Sequence, residues 1–201
     1  MTFLEELREQ RWDDHRFYHQ SMVNQSIHFL SACCFLATYV LLAVNPMVAV
    51  LFGWPIAMWC RQIGHFFFEP KGYDQVNQAT FEHKEKVKVG FNLQRKVLLF
   101  CTWATVPVLL ALSHSFFGLF APWRDLHGYL DILWRLWLGL AAAGLVGRTI
   151  WLCATRSVQT GLVWITKIFT DPFHDILIYH RSPLRLMRGE WFDTMEEGRP
   201  S

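Results

Sequence analysis

Four apolar runs separated by polar connections decide what this chain can fold into. They cover about residues 27–44, 47–68, 97–120 and 130–153. At about 1.5 Å per residue, each reaches most or all of the way across the ~30 Å of bilayer hydrocarbon. Lipid offers the backbone no hydrogen-bond partner, so such runs must be helices. The predicted fold is all-α: a polytopic membrane protein with four transmembrane helices and interfacial amphipathic helices, forming one domain over residues 1–201. A content of 52% hydrophobic and 16% aromatic residues excludes an ordinary soluble domain. The net charge of +2 argues against nucleic acid as a partner. All five cysteines fall in the apolar runs with no CxxC pair, so neither a disulfide framework nor a zinc knuckle is expected. Residues 1–26 are charged and polar, so the first run is expected to be retained rather than cleaved as a signal.

The connections carry their own signals. Residues 3–19 read as a short amphipathic helix lying at a surface. Asn45-Pro46 is a turn, and Pro55 is expected to kink the second span. Residues 70–96 read as a Lys-rich, partly helical, solvated connection. Ala141 to Gly144 offer a small-residue face on the fourth span. Beyond it, Val158, Leu162, Ile165 and Phe169 recur at helical spacing. Asp171-Pro172 then has the form of an N-cap and first helical residue, predicting a separate short helix that ends near Ser182-Pro183. These C-terminal helices occupy about residues 157–181, and the polar tail from Arg188 to Ser201 is expected to fray. Lys and Arg number three before the first span, six in residues 70–96 and six after residue 153, against one in the 121–129 turn. The positive-inside rule therefore puts both termini and the 70–96 connection on the cytoplasmic side.

This topology gathers His15, His19, His28, His65, His83, His174 and His180 near one membrane face, leaving His114 and His127 toward the other. In WCRQIGHFFFE (Trp59–Glu69), Gln62, His65 and Glu69 share an arc of about 100° on a helix. An imidazole and a carboxylate one turn apart are the start of a metal site, although imidazoles also favour wet membrane boundaries without binding anything. His19 and His28 are about 180° apart on a straight helix, so they can share a metal only if the chain breaks near Gln20-Ser21. Histidine with carboxylate suits iron, zinc or manganese.

FYHQSMVNQSIH (Phe17–His28) followed by QIGHFFFE (Gln62–Glu69) resembles the membrane family of fungal 2-hydroxy fatty acid dioxygenases, which has bacterial and plant members. The matching positions are Tyr18, His19, Asn24, His28, Gly64, His65 and Glu69, within about the first 70 residues. The family's Pro-Ala-Leu after the glutamate is absent, and the histidine boxes of membrane desaturases and sterol hydroxylases are absent too. The resemblance implies an Fe2+-dependent enzyme of fatty acid α-oxidation, which uses O2 to shorten a 2-hydroxy fatty acid by one carbon. His19, His28 and His65 would be iron ligands, and Glu69 a fourth ligand or an orienting group. Asn24 and Gln62 would be neighbouring polar groups. Arg61, Lys71 and Arg16 are all candidates to pair with the substrate carboxylate. A membrane scaffold without chemistry, holding anionic head groups on its basic connections, is the rival reading.

The segment Thr170–His180 lies outside the resemblance. A charged, His-bearing helix is costly to bury alone. It is expected to fold back under the bundle and bring His174, with His180, to the metal centre, making a second iron possible.

Overall fold

The computed structural model describes residues 1–69, 71–89 and 93–195. The described residues are helical with no strand, only two isolated bridges (Ser21 with Phe192, Asp74 with Ala79). Helix α1 covers Phe3–Tyr18 and α2 covers Met22–Val44. A third helical segment, α3, runs Pro46–Phe68, followed by α4 at Phe81–Val87 and α5 at Leu93–Leu112. The chain continues with α6 at Leu126–Thr155, α7 at Val158–Tyr179 and α8 at Ser182–Met187. Four of these, α2, α3, α5 and α6, are long and apolar enough to cross a membrane.

The break expected between His19 and His28 is present, and side-chain amides make it. Helix α1 starts on a capping box in which Thr2 and Glu5 exchange hydrogen bonds. It stops at Tyr18, where the last carbonyls of a helix lack intrahelical donors. Gln20 Nε2 donates to the Arg16 carbonyl (2.9 Å), Asn24 Nδ2 to that of Tyr18 (2.7 Å) and Gln25 Nε2 to that of His19 (2.8 Å). The C-terminal tail clasps the corner, with Met22 N donating to the Trp191 carbonyl and Asp193 N to that of Gln20.

Helices α2 and α3 form a hairpin turned at Asn45, whose side chain accepts from Val48 N (3.1 Å). Small groups set its register. Thr38 packs on Gly53, Ser31 Oγ donates to the Ala57 carbonyl (2.7 Å), and Asn24 and His28 lie on Gly64. Each contact holds the helices close, and the series ends with His28 facing His65. Pro55 sits in a π-helical stretch, Gly53–Met58, where the missing N–H is absorbed by a wider turn. The other side of α3 packs on α5 and α6 through an aromatic core, with Trp54 stacked on Trp103 at 3.8 Å and Trp137 beside them.

Three expectations need correction. The third span ends at Leu112 rather than Phe120, because Ser113 to Phe120 make tight turns with positive φ at Phe116, Phe117 and Gly118. The connection after α3 is not simply solvated: Asp74 and Lys84 are buried, and Asp74 accepts from Gln20 and Asn77. Asp171-Pro172 does not start a helix. Helix α7 runs unbroken through Pro172, and the Asp171 carboxylate is taken by Arg11 Nε (3.3 Å) and Lys167 Nζ (3.0 Å) instead of capping backbone. The new helix, α8, begins at Ser182 with Pro183 in its first turn. Of the tail expected to fray, residues 196–201 lie outside the described residues.

Helix α7 has its polar stripe inward. Lys167, Asp171, Asp175 and Tyr179 recur every four residues and are all buried, while Leu162, Phe169, Phe173 and Leu177 face outward. Lys167 also pairs with Asp14, and Asp175 with Arg61 (2.7 Å). These ion pairs tie α7 to α1 and α3 on the side where the histidines gather.

Candidate metal centre

His19, His28 and His65 meet although they come from three elements: the α1–α2 corner, the first turns of α2 and the end of α3. One ring nitrogen from each lies within 4.8 Å of the others, and all three residues are buried. His28 Nε2 is 3.3 Å from His65 Nε2. The ring centroids of His19 are 4.3 Å from those of His28 and 5.4 Å from those of His65.

The backs of the rings determine their protonation. His19 Nδ1 lies 2.8 Å from the Asp14 carbonyl, His28 Nδ1 3.0 Å from the Asn24 carbonyl and His65 Nδ1 2.9 Å from Glu69 Oε2. All three partners are acceptors, so each Nδ1 carries the proton and each Nε2 presents a lone pair. His19 Nε2 is buried with no hydrogen-bond partner among the described residues. Two Nε2 lone pairs facing each other at 3.3 Å, with a third beside them, repel unless a cation sits among them. The donor set therefore fits a metal ion, and an acceptor behind each imidazole is the usual support for such a ligand. Burial pushes the His19 imidazole down to about 3, despite the nearby Asp14 carboxylate and carbonyl, so it is neutral at physiological pH.

A second π-helical turn, Gly64–Phe68, delivers His65, and π turns within helices are frequent at functional sites. Glu69 follows it in extended backbone. Its two oxygens are engaged by His65 Nδ1 and by Lys88 Nζ (3.4 Å). Lys88 also sits 3.3 Å above the Tyr18 ring. Asn24 is fully buried; its Nδ2 serves the Tyr18 carbonyl and its Oδ1 has no partner among the described residues. Gln62 Nε2 meets Met58 Sδ (3.3 Å), and its buried Oε1 likewise has no partner among the described residues.

His174 and His180 do not join the described cluster. Because α7 continues through Pro172 as one helix, its inward stripe brings Tyr179 to the centre, with its ring 5.6 Å from that of His19 and its hydroxyl 3.1 Å from His15 Nδ1. His180 is exposed and its Nδ1 lies by the Leu177 carbonyl (3.0 Å). His174 is half-buried, which pushes its imidazole down to about 4. Sequence reasoning missed Tyr179, Lys167 and the Arg61–Asp175 pair; the signal available was the four-residue spacing of Lys167, Asp171, Asp175 and Tyr179.

The triad and its supporting acceptors span residues 14–69, within a stretch that matches a family model. Residues 6–84 match the family described as 2-hydroxy-palmitic acid dioxygenase Mpo1-like. The resemblance read from the two motifs is to this family. The Mpo1-like stretch covers most of α1, all of α2 and α3, and the connection into α4, and so holds all three histidines; α7 lies outside it. No curated protein and no solved structure matches the chain.

Proposed function

We propose that this chain is a membrane dioxygenase acting on a long-chain 2-hydroxy fatty acid, with His19, His28 and His65 holding one Fe2+. The observation that carries this reading is the convergence of three buried imidazoles whose Nδ1 atoms all face acceptors. Three neutral nitrogen donors leave coordination positions open, and iron(II) in such a set can bind an oxygen-rich substrate and activate O2. The Mpo1-like family description supports the substrate class.

The reaction balances without an added reductant. R–CH(OH)–COOH and O2 become R–COOH, CO2 and H2O; the substrate loses four electrons and O2 gains four. The C1–C2 bond breaks, C2 becomes the new carboxyl carbon, and the old carboxyl leaves as CO2. The chain's own residues bind and orient. Glu69 fixes the His65 ring, the carbonyls of Asp14 and Asn24 fix those of His19 and His28, and burial excludes bulk water. The site lies at the shared end of the α2–α3 hairpin, where an alkyl tail can stay in lipid while its polar head meets the histidines. Both termini and the connection around α4 are assigned to the cytoplasmic side.

Purified protein incubated with 2-hydroxypalmitate and O2 should yield pentadecanoic acid and contain about one iron per chain, with both lost in His28→Ala and His65→Ala. An iron-free protein, stable to chelators and inactive on the acid, refutes this reading and favours the scaffold.

A further inference from the structure

Any enzyme acting on a 2-hydroxy fatty acid must place its carboxylate, and three cations were candidates. Arg16 is committed to Asp13 (2.7 Å) and packs over Phe17 (4.3 Å) on α1, and Lys71 is exposed. Arg61 differs. It precedes His65 by one turn on α3, and its side chain is only 19% exposed. Its one hydrogen bond among the described residues runs from Nη2 to Asp175 Oδ2 (2.7 Å). A guanidinium has five N–H donors in a planar fork, so most of this one's hydrogen-bonding capacity is unused. Two other cations near the centre are placed differently. Lys88 is held by Glu69 on the Nδ1 side of His65, and Lys96 lies by that Lys88–Glu69 pair, its charge reaching the histidines as well.

Resting on the function proposed above, we propose that Arg61 is the carboxylate anchor, held in place by Asp175 of α7, and that it restricts the site to free 2-hydroxy acids over their esters and amides. Fork-to-carboxylate pairing gives geometric selection as well as charge. It also gives α7, which lies outside the Mpo1-like match, a part in specificity.

The test is binding of 2-hydroxypalmitate and its methyl ester to the full-length, iron-loaded protein in detergent without O2, measured by calorimetry. Wild type should favour the acid by about 10- to 100-fold, the value of a charge-assisted hydrogen-bonded pair. Arg61→Gln should abolish that preference, leaving ester binding and iron content unchanged; Arg61→Lys should restore part of it. Because Arg61→Gln leaves Asp175 buried and alone, the Arg61→Gln/Asp175→Asn double variant is measured beside it and should likewise show no preference. An undiminished preference for the acid in both Gln variants overturns the anchor while leaving the enzyme reading intact. Wild-type protein that binds neither compound and turns over no 2-hydroxy acid overturns both.

Discussion

Gly64→Ala is the most economical probe of the centre. The backbone there is right-handed helical (φ −52°, ψ −51°), so alanine meets no conformational strain. On helix propensity alone the change would stabilise by up to about 1 kcal/mol. Contact reverses the sign. The added Cβ would lie 2.2 Å from Asn24 Oδ1, 2.8 Å from His28 Cε1 and 3.0 Å from His28 Nδ1. Carbon atoms pack best at about 3.5–4.0 Å, so one side chain must move by a large part of an ångström. Neither is free to do so: Asn24 Nδ2 is tied to the Tyr18 carbonyl (2.7 Å) and His28 Nδ1 to the Asn24 carbonyl (3.0 Å). Overpacking of this kind costs about 1–3 kcal/mol, which outweighs the propensity gain. Displacing a ligand ring should lower metal affinity by about 10- to 100-fold, as loss of a supporting contact does elsewhere. Gly144→Ala on α6 is the control, since a Cβ there meets nothing. Metal titration with thermal melting reads both effects. Gly64→Ala that binds iron as wild type does, and melts as high as Gly144→Ala, would refute the packing argument.

Glu69→Ala should keep the fold and lose about 10- to 100-fold in metal affinity, since the His65 ring loses its acceptor; metal-binding isotherms decide this. Lys167→Met takes the cation from Asp14 and leaves Asp171 with Arg11 alone, which should cost about 3 kcal/mol, with hydrogen exchange accelerated in α7 ahead of α5 and α6. Acid should destabilise the metal-free protein. His19 sits at about 3 in the fold against 6.5 unfolded, so the unfolded chain takes up a proton first, and stability present above about pH 6.5 is lost as pH falls toward 3. His174, at about 4, acts with the same sign, and melting temperatures measured from pH 7.5 down to 4.5 should fall less steeply in His19→Gln. A chelator should lower the melting temperature of the iron-loaded protein by removing a ligand that binds only the folded state.

The number of spans was legible in the sequence because lipid leaves the backbone one solution, and run length alone then counts the helices. The break before His28 was legible as a requirement: two histidines nine residues apart cannot share a centre on a straight helix. The motif residues His19, His28, His65, Gly64 and Glu69 were legible through their family resemblance. What the linear pattern lacked was the partner of each polar group. Asp171-Pro172 carries every local sign of a helix start, yet Arg11 and Lys167 take the carboxylate and the helix runs on. That choice directs Tyr179 rather than His174 or His180 at His19, and Asp175 at Arg61. Local sequence sets which groups need a partner, because burial of an unpaired charge is prohibitive. Which partner each finds depends on helices far apart in the chain, and only their packing decides it.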